Sequence, residues 1–501
     1  MFEYAESDPA LTDDEATSLI PGLRTQLLKA QYQHLQKKDR ALLILVGGID
    51  GAGKGDTVNL LNEWMDPRHI QTMAFPPATK DERAYPPLYR FWLNLPPKGN
   101  TGIVFGSGYA PLIKEAAKKH PNAATLEKMM LTARRYEADL VANGIQVIKL
   151  WFHLSRDAQK ARVKNLQKNP STAWKVSPDD HTVSKRFKRL RKAAQRVIEA
   201  TDADHAPWII IPAANENMRN LSTARAVLAA LKQRSVRVPA LHDPAAELPV
   251  ARRSHNPLDD IDYTDHLAKD DYDTALLHWQ NRLAEAVRHP KFLKHHALML
   301  VFEGQDAAGK GSTIRRITKA LDARQYQILP VSAPKQFELD RPYLWRFWRA
   351  VPRHGRIAIF DRSWYGRVLV ERVEKLITRP TWQRAYTEIN AFEQQLSQHG
   401  VLIIKFWLAI TPDEQLRRFE SREELPFKQY KITDEDWRNR DKWQAYRQAT
   451  SDMLMHTDSP HAHWHPISAN DKRHARIAVM KQIVNTIESA IDSATATGKD
   501  R

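Results

Sequence analysis

The stretch Gly304-Gln305-Asp306-Ala307-Ala308-Gly309-Lys310-Gly311-Ser312 follows an apolar run at 296–302 and precedes residues of helical spacing. Strand, glycine loop, lysine and helix in that order make a phosphate cradle. The glycines let successive backbone N–H groups point inward, the helix start adds partial positive charge, and the lysine reaches the terminal phosphates. In the commonest form a hydroxyl follows the lysine directly. Here Gly311 intervenes and the hydroxyl comes at Ser312. A glycine-rich turn that holds no ligand is the bland alternative.

The chain carries the motif twice. Gly48-Ile49-Asp50-Gly51-Ala52-Gly53-Lys54-Gly55-Asp56 is the first copy, and Lys54 lies 256 residues before Lys310. The same offset relates Arg90-Phe91-Trp92 to Arg346-Phe347-Trp348, Gly144 to Gly400, Lys149 to Lys405, Trp151 to Trp407 and Arg162 to Arg418. One loop could arise by chance; two in a common register of aromatic and charged positions indicate a tandem duplication. The expected layout is a degenerate first P-loop domain at 1–235, a linker at 236–262 and a catalytic second P-loop domain at 263–501. The linker reading rests on Pro239, Pro244, Pro249 and Pro257 and on weak periodicity.

Short apolar runs at 41–46, 296–302, 356–360 and 401–408 read as buried strands, and those at 206–212 and 462–468 as the last strand of each copy. Helices are expected to open at 56–64 and 312–321, and another to end at a Gly400 cap. Strands alternating with helices predict an α/β fold, a parallel sheet with helices on both faces. Residues 263–295, with Leu276, Leu277, Leu283 and Val287 at helical spacing, are expected to pack on the second copy, and 1–38 on the first.

Composition narrows the function. The apolar fraction of 42% is ordinary for a globular chain, and cysteine is absent, which excludes disulfides and thiolate chemistry. The apolar runs are too short to span a bilayer, and Lys405 interrupts the longest. The acidic start (Glu3, Glu6, Asp8, Asp13, Asp14, Glu15) is unlike a secretory signal, so a cytoplasmic protein is expected. With 76 Lys and Arg against 59 Asp and Glu, the net charge of +17 predicts a polyanionic partner: nucleic acid, anionic membrane or polyphosphate.

Asp361 ends the strand at 356–360 and is followed by Arg362. That is where P-loop enzymes hold a divalent cation; a helix-capping Asp is the alternative. Setting Phe105 against Phe360 puts Gly106 where Asp361 stands and Ser107 where Arg362 stands. Asp56 also replaces Ser312. Losing a carboxylate and an arginine while gaining a carboxylate beside the phosphates predicts a catalytically disabled first copy. Arg417, Arg418, Arg422, Lys428 and Lys431 read as a basic lid, or as a solvated helix face. The basic run at 185–196 either binds a polyanion or is merely solvated.

With Leu344-Trp345-Arg346-Phe347-Trp348, Phe360-Asp361-Arg362-Ser363-Trp364-Tyr365-Gly366-Arg367 and Pro426-Phe427-Lys428-Gln429-Tyr430-Lys431 added to the loop, the whole chain resembles the polyphosphate kinase 2 family. Its two-domain form resembles the polyphosphate:AMP phosphotransferase type. The resemblance implies a three-layer P-loop kinase fold similar to thymidylate kinases, with a helical lid. It implies transfer of the terminal phosphoryl group of inorganic polyphosphate to AMP, giving ADP, with Mg2+ or Mn2+. It assigns Lys310, Gly304, Gly309, Gly311 and Ser312 to the phosphates, and Asp306 and Asp361 to the metal. Arg362, Arg367, Arg418, Arg422, Lys428 and Lys431 would hold the polymer, and Arg346 would lie by the nucleotide. ADP or a guanine nucleotide as acceptor, an ATP-dependent P-loop kinase or ATPase, and a non-catalytic polyanion binder stay open alternatives. Neither nucleic acid nor a membrane is then needed as a partner; a homo-oligomer is compatible.

Overall fold

The structure is a computed structural model that describes residues 1–176, 178–233, 256–424 and 434–496. Lys428, Lys431 and most of the expected linker lie outside the described residues. The chain forms two compact units. Unit 1 comprises Met1–Ala78, Arg90–Leu241 and Lys335–Trp345; unit 2 comprises Thr79–Tyr89, His242–Pro334 and Arg346–Arg501.

Unit 1 holds a parallel sheet of β1 (Ala41–Gly48), β2 (Ile70–Ala74), β3 (Thr101–Phe105), β4 (Ile145–His153) and β5 (Trp208–Pro212), ordered β2-β3-β1-β4-β5. Unit 2 repeats it with β6 (Ala297–Gly304), β7 (Tyr326–Pro330), β8 (Ile357–Asp361), β9 (Val401–Ala409) and β10 (Trp464–Ser468), ordered β7-β8-β6-β9-β10. All pairings are parallel. The central strands are buried along nearly their whole length, which explains their unbroken apolar runs. The order places the two loops at the carboxyl ends of β1 and β6, in the middle of each sheet.

Helices cover the sheets by burying one apolar stripe each. In unit 2, Leu283 and Val287 at the end of the helix Lys269–Ala286 join β6, β8, β9 and the helix Lys472–Ala496 in one core. Leu276 packs against that core only partly, and Leu277 is exposed, so the stripe is narrower than the sequence spacing suggested. In unit 1 the helix Asp13–Lys37 lies against the helix Glu216–Lys232 in the corresponding way. The helix before β9 ends at Ser397 rather than at Gly400. Gly400 (φ +83°) instead makes the turn into the strand. Among the described residues no helix is long and apolar enough to cross a membrane.

The lysine inside each apolar strand has an internal partner. Lys405 Nζ donates to Glu393 Oε2 at 2.8 Å, to Tyr365 Oη at 2.8 Å and to the Thr457 carbonyl at 2.7 Å, and Tyr365 donates to Glu393 Oε1. Lys149, Glu137, Tyr109 and Thr201 repeat this network 256 residues earlier. Burial pushes both ammonium groups below the usual lysine value, opposed by the paired glutamates. A buried charge is tolerated only when paired and bonded in this way.

Candidate functional site

The loop of unit 2 runs from the end of β6 into the helix Lys310–Thr318. Gly304 (φ +144°) has no room for a side chain, since a Cβ there would stand 2.3 Å from the Leu408 carbonyl oxygen. Lys310 Nζ donates to the carbonyls of Gly304 at 2.7 Å and Gln305 at 3.1 Å, which folds it over the loop. Burial lowers its pKa from the usual lysine value, opposed by Asp306 and other carboxylates. Gly309 is the residue before the helix, and Ser312 Oγ donates to its carbonyl at 2.9 Å. Ser312 Oγ also accepts from Arg476. Gly311 faces Asp361, whose Oδ2 is 3.9 Å from where a Gly311 Cβ would stand.

Asp361 is the last residue of β8, paired with Phe302 of β6. Arg362 then turns the chain with φ +62°, a left-handed conformation that costs a non-glycine residue about 1–2 kcal/mol. Its amide donates to the Phe302 carbonyl, and its Nη2 donates to Asp306 Oδ1 at 2.8 Å. Burial opposes the guanidinium charge, but Asp306, Glu303 and Glu435 outweigh it and raise its pKa. Asp306 Oδ2 accepts from Asn439 Nδ2 at 2.8 Å. Lys310, Asp306, Asp361 and Arg362 are thus brought to one place at the carboxyl edge of the sheet.

The other candidates are placed differently. Arg418 is buried, and all three of its guanidinium nitrogens are engaged. Nε donates to Glu414, Nη1 to the Ala307 carbonyl at 2.9 Å, and Nη2 to the carbonyls of Ala469 and Asn470. It braces the back of the loop rather than reaching across its mouth as the lid reading expected. Arg367 pairs with Glu371 at 2.7 Å. Arg346 donates to the Ser332 carbonyl at 2.9 Å and lies over the Phe347 ring. Arg422 sits in the last turn of the helix Pro412–Glu423.

Two features escaped the sequence reading. Glu303, the residue before Gly304, is buried and accepts from Ser363 Oγ at 2.8 Å. Burial raises its pKa from the usual glutamate value. A cavity of about 250 Å³ opens beside Asp306 and Arg362, with Trp407, Trp443 and Tyr446 among its walls. The signal for Glu303 lay in the duplication, because Gly47 is its counterpart.

Sheet register corrects the internal alignment by one residue. Val46 pairs with Phe105, and Phe302 with Asp361; the Phe75 amide donates to the Phe105 carbonyl as the Val331 amide does to that of Asp361. Phe105, not Gly106, therefore stands where Asp361 does. Gly106 (φ +75°) stands where Arg362 does, and Ser107 where Ser363 does. The apparent match of Phe105 to Phe360 arose because Asp361 is itself the last strand residue. In unit 1 Lys54 Nζ reaches Asp50 Oδ1 at 3.0 Å as well as the Gly48 and Ile49 carbonyls. Asp56 takes Arg162 at 3.0 Å and Lys175 at 2.8 Å. Those ion pairs outweigh burial and hold its carboxyl below the usual value.

The polyphosphate kinase 2 (PPK2) family profile matches residues 10–239 and again 266–494. A protein of Pseudomonas syringae pv. tomato named polyphosphate:AMP phosphotransferase is 45% identical over 505 residues, covering 100% of both chains. A protein of the same name from Pseudomonas aeruginosa is 45% identical over 496 residues, covering 98% of this chain and 99% of its own. A crystal structure from Pseudomonas aeruginosa PA01, assigned to polyphosphate kinase 2, superposes with a TM-score of 0.87 at 43% identity, over 98% of this chain and 99% of its own. Two family matches in one chain and relatives of equal length carry the conclusion that the chain belongs to the polyphosphate kinase 2 family.

Proposed function

We propose that this chain transfers the terminal phosphoryl group of inorganic polyphosphate to AMP, giving ADP, and that unit 2 does the work. The observation that carries the assignment is the gathering of Lys310, Asp306, Arg362 and Asp361 around one glycine loop, with the last two replaced in unit 1. The full-length relatives bear that activity in their names.

In the reaction a phosphate oxygen of AMP attacks the terminal phosphorus of the polymer. The new P–O bond forms as the bridging P–O–P bond breaks, and the shortened polyphosphate leaves as an anion. The nucleophile is already an anion, so no strong base is needed. The barrier lies in bringing two polyanions into line, and fixed positive charge lowers it. Lys310 and the loop N–H groups bind the donor phosphates, and Arg362 balances the charge that builds between donor and acceptor. Asp306 sets the direction of Arg362. Arg346, Arg367 and Arg422 are assigned to the nucleotide and polymer by family resemblance, as are Lys428 and Lys431 outside the described residues. Arg418 keeps the loop in shape.

The donor set fits a hard divalent cation. Among the described residues the Asp361 carboxylate makes no hydrogen bond or ion pair, and it faces the start of the loop helix. Asp306 is held by Arg362 and Asn439 and would join only if those contacts open. Mg2+, or Mn2+ in its place, would be held by Asp361 with phosphate oxygens and waters, and supplies neutralisation of the transferred group. A cytoplasmic location, where AMP is available, completes the proposal.

The test is chromatography of nucleotides after incubation with AMP, long-chain polyphosphate and Mg2+. ADP is the expected product. No ADP from AMP, but ATP from ADP, would replace the acceptor; product only when ATP is supplied would replace the donor.

A further inference from the structure

The helix Pro178–Thr201 of unit 1 turns a buried face (Phe187, Ala194, Val197, Ile198) to its own core. Its other face carries Lys185, Arg186, Lys188, Arg189, Lys192 and Arg196, all exposed. Lys185, Arg189, Lys192 and Arg196 follow at intervals of four, three and four, so they form one stripe along the helix. At 1.5 Å per residue the stripe is roughly 16 Å long. Among the described residues none of the six makes an ion pair or a side-chain hydrogen bond. The nearby acids are committed: Glu3 and Glu6 hold Arg191, and Glu199 accepts from Gln195. Arg156 adds a further cation at the head of the stripe, where its Nε donates to the Ser184 carbonyl at 3.0 Å.

A run of positive charge is commonly just a solvated surface. The duplication supplies a control within the same molecule. The six positions correspond in unit 2 to Asp441, Lys442, Gln444, Ala445, Gln448 and Asp452. Six cations are thus set against one cation and two anions on the same fold. The buried positions of the two helices agree, Ala193 with Ala449, Val197 with Met453 and Ile198 with Leu454, so folding does not account for the charge difference. Unpaired like charges repel one another along a helix, which leaves the stripe without a stability rationale and with a complementary polyanion as its natural partner.

We propose that this face of unit 1 is a docking track for inorganic polyphosphate, separate from the site of phosphoryl transfer. The inference rests on the functional reading above. The stripe exposes no aromatic side chain: Phe187, the aromatic residue within it, is buried. Nucleobases therefore have nothing to stack on, whereas a bare phosphate chain needs only charge. Holding one stretch of a long chain on unit 1 raises the local concentration of the rest for reaction, by effective-concentration arithmetic. A chain of three or four phosphates gains nothing.

The test is the quadruple variant Lys185→Gln, Arg189→Gln, Lys192→Gln, Arg196→Gln in the full chain, assayed with AMP. The expected result is a KM for long-chain polyphosphate raised about tenfold, corresponding to about 1.4 kcal/mol. kcat and the KM for tetraphosphate stay at parental values, which also shows that the variant is folded. The slope of log affinity against log salt falls by roughly 0.7 per cation removed, the figure for single-stranded polyanions. A long-chain KM within twofold of the parent overturns the proposal. So does a single-stranded oligonucleotide of equal charge binding the parent more tightly than polyphosphate. Binding is read separately on the Lys310→Ala protein with and without the four changes. A parent that transfers nothing to AMP would overturn the functional reading, and the binding arm would still decide the track.

Discussion

Lys54 and Lys310 occupy the same point of the same loop, yet their neighbours differ in a way that follows from three substitutions. In unit 2, Asp306 is drawn off the lysine by Arg362 and Asn439. In unit 1 the positions of those two residues hold Gly106 and Val183, and Asp50 turns back to pair with Lys54. Asp56, at the position of Ser312, then takes up Arg162 and Lys175. The first loop therefore neutralises itself, while in the second, among the described residues, Lys310 donates to backbone carbonyls alone. The glycines and lysine that define the motif are the same in both. On the proposed division of labour, competence depends on where the surrounding carboxylates find their partners.

The largest effect that would test this contrast is on turnover. Lys310→Ala should lower ADP formation by about a thousandfold or more, the scale of losing a preorganised charge at a developing anion. Lys54→Ala should leave it within about twofold. Equal losses would break the contrast between the units.

Stability should show the opposite pattern, because the Lys–Glu–Tyr network is the same in both. Lys405→Met and Lys149→Met each leave a buried glutamate unpaired, at an expected loss of about 3–5 kcal/mol. Thermal or denaturant unfolding of both variants checks this. A large loss in one unit and none in the other would show that the networks do different work.

Arg362→Gly installs the residue that unit 1 has. Relief of the left-handed strain should raise Tm by about 2–4 °C per kcal/mol regained, while kcat falls about a hundredfold with loss of the charge. A variant that lost stability would mean that Arg362 serves the fold. The smallest effect is expected from Asp56→Ser, which frees Arg162 and Lys175. Polyphosphate affinity should rise about two- to fivefold, on the scale of a partly exposed ion pair of up to 1 kcal/mol. Competition binding on a Lys310→Ala background would measure it, and no change would mean that the freed cations find other partners.

Much of this was legible from residues alone. The loops, the buried central strands and the interrupting lysine all leave strong local patterns, and the offset of 256 residues ties them together. The edge strands β2 and β7 were missed because they are partly exposed and mixed in polarity, with Met73 their one buried residue and so no alternation imposed. The one-residue slip at β3 had a related cause. A phenylalanine is a better guide to a strand interior than an aspartate is to its end, yet Asp361 is hydrogen-bonded into the sheet. Glu303 reads as an ordinary polar residue after an apolar run; its role emerges only when Ser363, 60 residues on, folds against it. Arg418 looked like a lid cation because charge in a sequence carries no direction, and only burial shows that it points inward.

The left-handed corner after β3 has a further consequence, for the routes by which this chain could change. A side chain on Gly106 would start 2.5 Å from the Phe75 carbonyl oxygen, so an arginine there first requires the corner to shift. An aspartate at Phe105 without that arginine would add a carboxylate beside a loop whose lysine is already paired with Asp50. Each single step back toward a working site is thus worse than the present state, and the improvement comes only when several are taken together. On the proposed reading of unit 1 as inactive, the first repeat has passed through a one-way gate: small substitutions lead away from catalysis easily and return only in concert. Its surface is meanwhile free to drift toward other uses of the same fold.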